Sequence, residues 1–84
     1  MKSRNLLHRA VELTGIMKGT GAKVKADIQD GFVEFRGAFK ARVPFSELSA
    51  EARGTLLAIH HKGHHVEVSA AAKAASLAAR INRG

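Results

Sequence analysis

Apolar and polar residues alternate in the first half of the chain, and this pattern predicts two strands, over 22–29 and 32–36, each with one buried face. The dipeptide Asp30-Gly31 between them favours a two-residue hairpin turn. A turn at this position pairs Ile28 with Val33 on the buried face. The residues predicted to face outward are Lys23, Lys25, Asp27, Glu34 and Arg36.

A third strand is predicted over 39–43, after a reversal of the chain at Gly37, which can supply the positive φ that a three-residue loop requires. This register sets Lys40 opposite Glu34. Pro44 has no amide hydrogen to donate, so the strand is expected to end there. The three predicted strands then share one apolar face.

A helix is predicted at each end of the chain. Residues 3–14 carry apolar side chains at helical spacing, with Ser3 as the N-cap and Gly15 as the stop. Near the other end, Ser69 is expected to cap an alanine-rich helix. The buried side of this second helix is predicted to comprise Ala70, Ala74, Leu77, Ala78 and Ile81. Its polar side is predicted to comprise Lys73, Ser76, Arg80 and Arg83.

Residues 46–62 are compatible with two structures, a single amphipathic helix or a hairpin preceded by a helical turn. The hairpin alternative consists of a helical turn over 46–53, strands over 55–61 and 64–68, and a turn at Lys62-Gly63. We favour the hairpin because Gly54 in the middle of a helix costs about 1 kcal/mol, and because the hairpin buries matched apolar pairs.

These elements predict one α+β domain over residues 1–84, in which a small antiparallel sheet of three to five strands is flanked by an N-terminal and a C-terminal helix. Fifteen of the 84 residues are alanine, which buries little area, so the predicted core is thin. A homodimer that closes this core through the alanine-rich helix is therefore one expected form of the protein.

Positive charge dominates the composition, because 14 Lys and Arg residues stand against 7 Asp and Glu residues, for a formal net charge of +7. Such a chain attracts polyanions, and we favour nucleic-acid phosphates as the partner of a basic sheet face or basic helices. The alternative is a solvated face that only keeps the protein soluble. The predicted nucleic-acid-binding residues are Lys23, Lys25, Arg36, Lys40, Arg42, Lys73, Arg80 and Arg83.

Four histidines surround the predicted Lys62-Gly63 turn, and imidazole is a common ligand of zinc, copper and nickel. On that hairpin His60 and His65 face each other on the outer side beside Glu67, while His61 and His64 face each other on the inner side. His60, His65 and Glu67 are the best metal-ligand candidates. They are only three, whereas structural zinc sites usually have four protein ligands, so no metal is assigned.

Catalysis is not expected from this sequence, because the chain has no Cys and its spacing gives no Ser-His-Asp set. The glycine-rich stretch 15–23 departs from the phosphate-loop pattern, so no cofactor and no small-molecule substrate are predicted. No apolar stretch is long enough for a signal peptide or a membrane span, so we expect a cytoplasmic protein with no membrane partner.

The sequence therefore predicts a non-enzymatic binding protein that engages nucleic acid. The alternative is a protein-interaction or assembly module that acts as a homodimer or an adaptor. The two functions differ in their response to salt, since phosphate binding weakens steeply as salt rises and an apolar interface does not.

Overall fold

The computed structural model of the protein describes residues 10–83. Within these residues, seven antiparallel strands form one curled sheet, and a single α-helix follows them. The strands are β1 (Val11–Met17), β2 (Lys23–Ile28), β3 (Phe32–Gly37), β4 (Ala41–Pro44), β5 (Ser49–Arg53), β6 (Leu56–His61) and β7 (His64–Ser69). Their order across the sheet is β4-β3-β2-β1-β7-β6-β5. Short 3-10 turns at Phe45–Glu47 and Ala71–Lys73 precede β5 and the helix α1 (Ala74–Asn82).

This architecture corrects the predicted fold class, which had three to five strands between two helices. Residues 11–14 belong to strand β1 and not to an N-terminal helix, Ala10 has no regular secondary structure, and the rest of that predicted helix, 3–9, lies outside the described residues. The inward side chain Leu13 is buried while its neighbours Glu12 and Thr14 are exposed, so β1 follows the alternation of a strand. Because β1 pairs with a strand on each side, long-range pairing outweighs its local helical spacing.

A second correction concerns the predicted helical turn over 46–53. Only Phe45–Glu47 forms a 3-10 turn, and the chain then enters β5. Gly54 has a φ of +62° and forms a two-residue turn with Thr55, so that Arg53 pairs with Leu56. Glycine at the first position of such a turn is typical of tight hairpins, and this turn makes β5 the edge partner of β6.

Two predicted hairpins are confirmed in their register. Between β2 and β3, Ile28 pairs with Val33 and Lys25 pairs with Arg36. Between β6 and β7, the histidines pair as predicted across the Lys62-Gly63 turn, whose residues have φ values of 44° and 85°. Two successive residues with positive φ are the geometry that a two-residue hairpin turn requires.

The register between β3 and β4 differs from the prediction by two residues. Glu34 pairs with Arg42 and not with Lys40, and Ala41 pairs with Phe35. The difference arises because Gly37 remains part of β3, so the connection runs through residues 38–40. Lys40 therefore lies in a loop beside the sheet.

The helix α1 packs against β5 and β6 on the buried side of the sheet. Its predicted buried side is confirmed, since Leu77 is 5% exposed and Ile81 is 0% exposed. Ser69 does not cap it, because Ser69 ends β7 and the 3-10 turn intervenes. The chain's own sheet thus covers the apolar side of α1, and that side is not free to close the core of a homodimer.

The last turn of α1 also covers the outer edge of β5. The Asn82 Nδ2 group donates to the Ala50 carbonyl at 2.8 Å, and Asn82 Oδ1 accepts from the Ala50 amide at 2.9 Å. One side-chain amide therefore satisfies both backbone groups of Ala50 on this edge of the sheet.

The two halves of the sheet meet where β1 pairs with β7, beginning at Gly15. A Cβ atom at this position would overlap the carbonyl oxygen of Glu67 and lie 2.5 Å from the Cα of Val68. Only three residue pairs join β1 to β7, and the first of them is Gly15 with Val68. The curl of the sheet therefore depends on the absence of a side chain at Gly15.

We expect Gly15→Ala to lower the free energy of unfolding by about 3 kcal/mol, because the added methyl group forces the β1 and β7 backbones apart. Urea unfolding followed by circular dichroism measures this loss. Gly19→Ala is the matched control, since a Cβ there meets nothing within 4 Å and only its φ of +99° opposes the substitution. Equal losses in the two variants would contradict the steric explanation.

We expect Ala71→Gly to raise the free energy of unfolding by about 0.5–1 kcal/mol, because Ala71 has a φ of +51°, a conformation that costs an L-residue about 1–2 kcal/mol. The control is Ala72→Gly, whose φ is not positive and which should destabilise the protein slightly. Thermal unfolding of both variants tests this, and a lower melting temperature for Ala71→Gly would refute it.

Candidate anion-binding groove

A surface groove of about 780 Å³ lies over the outer face of β1, β2 and β3, where the end of β7 approaches them. This volume is within the range of about 300–1,000 Å³ that is typical of ligand sites. The side chains that line the groove are Thr14, Ile16, Lys23, Lys25, Arg36 and Ser69.

Strand alternation and register place these side chains together. Val24 and Ala26 are buried, so Lys23 and Lys25 of the same strand point to the opposite face of the sheet. Across the strands, Lys25 has Thr14 on one side and Arg36 on the other. The groove is therefore a basic surface with hydroxyl groups beside it.

The positive charges in the groove are not equally available to a ligand. The Arg36 Nη2 atom donates to Asp27 Oδ2 at 2.9 Å and to Glu12 Oε2 at 3.1 Å. Lys23 and Lys25, in contrast, form no ion pair with any residue between 10 and 83. The two lysines are the cations that the groove offers to an anion.

An acidic row, which we define as Glu12, Asp27 and Glu34, runs across the same face next to the groove. These three residues are cross-strand partners on β1, β2 and β3. The sequence predicted only Asp27 and Glu34 on this face, because it assigned Glu12 to a helix. The outer face is therefore divided into two bands, the acidic row and a basic band that comprises Lys23, Lys25 and Arg36.

Five of the eight predicted nucleic-acid-binding residues lie outside the groove. Lys40 is in the β3–β4 loop, and the Arg42 guanidinium lies 4.6 Å from the centre of the Phe32 ring. Lys73, Arg80 and Arg83 belong to the helical segment on the buried side of the sheet.

The side chain of Arg80 contacts the backbone of another part of the protein. Its Nη2 atom donates to the Gln29 carbonyl at 3.0 Å and ties α1 to the β2–β3 hairpin. The structure thus brings together Lys23, Lys25 and Arg36 alone of the predicted set.

Sequence reasoning missed Thr14, Ile16 and Ser69 as groove residues. Thr14 was assigned to a helix and Ile16 to the glycine-rich connector after it, although two β-branched residues around a glycine favour a strand. Ser69 was assigned to a helix cap. It reaches the groove only because β7 pairs with β1, which lies more than 50 residues before it in the sequence. No local sequence pattern predicts that pairing.

The predicted outer histidine cluster is present, and its centre is a shared carboxylate. The rings of His60 and His65 lie 4.1 Å apart between centroids, and His65 Nε2 lies 3.8 Å from Glu67 Oε2. Lys18 Nζ and Arg53 Nη1 each lie 3.9 Å from the same carboxylate oxygen. Within residues 10–83, no group of three or more His, Asp or Glu residues is arranged to hold a metal ion.

The inner histidines connect two distant hairpins. His64 stacks on Phe39 with 4.7 Å between ring centres, and Phe39 stacks on Phe35 at 5.1 Å. Because β2 and β1 separate β3 from β7 in the sheet, this stack is direct evidence of the curl. These rings therefore pack the structure and do not line the groove.

Comparison with protein-family models, with curated protein sequences and with solved structures gives no match for this chain. In the part of the chain that the structure describes, no helix has the length and apolar character needed to cross a membrane.

Acidification is expected to destabilise the protein through His65. Burial, followed by the charges of His60 and Lys18, lowers the pKa of His65 below its ordinary value of 6.5, and Glu67 only partly opposes this. The unfolded chain then binds the proton more readily, so stability falls as the pH drops below 6.5 and levels off below the folded-state pKa.

Urea unfolding at several pH values between 7.5 and 5 measures this dependence. His65→Gln should remove most of this pH dependence. His60→Gln should reduce it, because the charge of His60 contributes to the lowered pKa of His65. An unchanged pH profile in His65→Gln would assign the dependence to other groups.

Proposed function

We propose that this protein is a non-enzymatic binding protein that holds nucleic-acid phosphates in the groove on its outer face. The observation that supports this most is the pair Lys23 and Lys25, which form no ion pair within residues 10–83 and lie two residues apart on one side of β2 inside a groove of ligand size. Lysine binds phosphate as a compact point charge, and such contacts dominate the affinity of sequence-independent binding.

The other lining groups fit the same ligand. The hydroxyl groups of Thr14 and Ser69 can donate to phosphate oxygens, and Arg36 is held in place by its two carboxylates. Ile16 is 43% exposed and offers an apolar contact to sugar or base. None of these groups gives a bidentate reading of a base edge, so the proposed contact is to the backbone and not to sequence.

A protein-interaction module is the second candidate function. Two large hydrophobic side chains, Ile16 at 43% and Leu56 at 36%, are exposed on the outer face of the sheet. An acidic segment of another protein could contact them together with the groove lysines. Its binding would keep an apolar contribution at high salt, whereas phosphate binding would not. For either function, the cytoplasm is the compartment we propose.

We expect the affinity for labelled 12-mers of DNA or RNA to fall as the salt concentration rises. A plot of log affinity against log salt concentration should fall with a slope of magnitude about 1.4 for single strands or about 1.8 for duplexes, as two phosphate contacts give. Lys23→Gln with Lys25→Gln should weaken binding about tenfold or more and remove most of the slope. Fluorescence anisotropy between 50 and 200 mM salt measures both quantities, as an order-of-magnitude test.

The matched control is Lys73→Gln with Arg83→Gln, which removes the same two charges from the other side of the sheet. Its affinity should stay close to that of the parent protein. Equal losses in both double variants would mean that net charge and not the groove attracts the nucleic acid. No binding at the lowest salt would refute the proposed function.

A further inference from the structure

We propose that the outer histidine cluster is a second phosphate-contact site, which continues the groove and attracts the nucleic-acid backbone when its imidazoles are protonated. The cluster comprises His60, His65, Glu67, Lys18 and Arg53. This inference rests on the proposed function, because it concerns how far the bound backbone extends beyond the groove and how pH regulates that contact.

The cluster lies on the side of the groove that faces away from the acidic row. Along β2, the acidic row begins directly beyond Lys25, whereas Lys23 lies at the other end of the pair, next to the β1–β2 turn. Lys18 begins that turn, and its amide donates to the His65 carbonyl at 2.7 Å. A phosphate backbone that leaves the groove past Lys23 therefore moves away from the carboxylates of the acidic row and toward the cluster.

The path from the groove to the histidines is short. Lys25 and Lys23 are two residues apart on one strand, which corresponds to about 6.6 Å. Lys23 and Lys18 lie on neighbouring strands, two positions apart in register, which corresponds to about 7–8 Å. Each further step, to His65 and then to His60, crosses to an adjacent strand and adds about 5 Å. The path is therefore about 25 Å long, and a 12-mer with one phosphate about every 3.4 Å of a helical strand is long enough to follow it.

At neutral pH the charges of the cluster and its immediate neighbour cancel. Lys18 Nζ and Arg53 Nη1 each lie 3.9 Å from Glu67 Oε2, and Arg53 Nε also donates to Glu51 Oε2 at 3.3 Å. These two cations and two carboxylates have no net charge while both imidazoles are neutral. Two protonated imidazoles would bring the net charge of the same groups to +2.

Histidine is the side chain that gains positive charge as the pH falls through this range. Burial, followed by the charges of His60 and Lys18, lowers the pKa of His65, with Arg53 adding to this and Glu67 opposing it. These groups face His65 from β6, from the β1–β2 turn, from β5 and from β7 itself. A phosphate on the cluster brings further negative charge, which favours the protonated form. Protonation and phosphate binding therefore promote each other.

The position of the His65 ring supports this role. Its Nε2 atom is buried, has no hydrogen-bond partner within residues 10–83 and lies 3.8 Å from Glu67 Oε2. In the protonated form Nε2 carries a proton that can pair with this carboxylate. Glu67 is then shared among three cations instead of two. Lys18 and Arg53, whose side chains are about half exposed, become more available to a phosphate as a result.

The test measures binding of a labelled oligothymidine 12-mer by fluorescence anisotropy at pH 7.5 and at pH 5.5, in about 50 mM salt, where electrostatic contacts are strong. Thymine does not change its charge between these pH values, and the label is one whose fluorescence is independent of pH. We expect the affinity to be about fivefold higher or more at pH 5.5, the factor that one charge pair at about 4 Å in water gives. The slope of log affinity against log salt concentration should increase in magnitude by about 0.7 for each added phosphate contact.

His60→Gln with His65→Gln should abolish this gain and leave the affinity at pH 7.5 close to that of the parent protein. The matched control is His61→Gln with His64→Gln, which removes two imidazoles from the inner side of the same hairpin. This control variant should keep the gain. Circular dichroism at both pH values checks that the variants are folded.

A second measurement uses the parent protein alone and so does not depend on the folding of a variant. Proton NMR follows the titration of the His65 ring with and without the oligothymidine. The pKa of His65 should rise when the strand is bound, because the coupling between the proton and the phosphate is reciprocal.

Three results would each overturn this inference and leave the proposed function standing. They are an affinity at pH 5.5 no higher than at pH 7.5, an equal loss of the gain in both double variants, and a pKa of His65 that does not rise on binding. No binding of the parent protein at pH 7.5 would refute the proposed function itself.

Discussion

The contact between Gly15 and the backbone of β7 determines how the two halves of the sheet meet. Without a side chain at Gly15, β1 lies close enough to β7 to pair with it over three residues while it still pairs with β2 from Val11 to Ile16. The same contact brings Ser69 next to Thr14 and so completes the groove. It also sets Ile16 beside Glu67, where the outer histidine cluster begins. Packing and the candidate site thus depend on one close approach of two backbones.

The pairing register of the strands determines where positive and negative charges lie on the outer face, and the composition alone does not. The net charge of +7 suggests a uniformly basic surface, yet cross-strand pairing gathers three carboxylates into one row, while Lys25 lies in the next row and Lys23 in the row after it. Arg36 joins the two bands, because its guanidinium contacts two of those carboxylates. In the part of the chain that the structure describes, Lys23 and Lys25 form no ion pair. A count of positive residues in the sequence cannot distinguish Arg36, which forms ion pairs within the protein, from Lys23 and Lys25, which form none with the described residues.

The parts of the fold that the sequence predicted correctly are those whose register is fixed locally. Asp30-Gly31 and Lys62-Gly63 each form a two-residue turn, and the pairing of the flanking strands follows from the turn alone. Strand β1 was assigned wrongly because its partner β7 lies about 50 residues away, and apolar residues before Gly15 also satisfy helical spacing. Ser69 reaches the groove only through that distant pairing, whereas Thr14 faces Lys25 through the pairing of β1 with β2. The lysines were predicted from local alternation, but the groove around them was not.

The amide of Asn82, which pairs with both backbone groups of Ala50, makes the two edges of the sheet unequal. In the described part of the chain, β4 is the other edge strand and has a paired neighbour on one side only. A further strand that approached β5 would have to displace this amide from Ala50 before it could pair there. A single side chain at the end of a short helix thus raises the cost of strand addition at this edge.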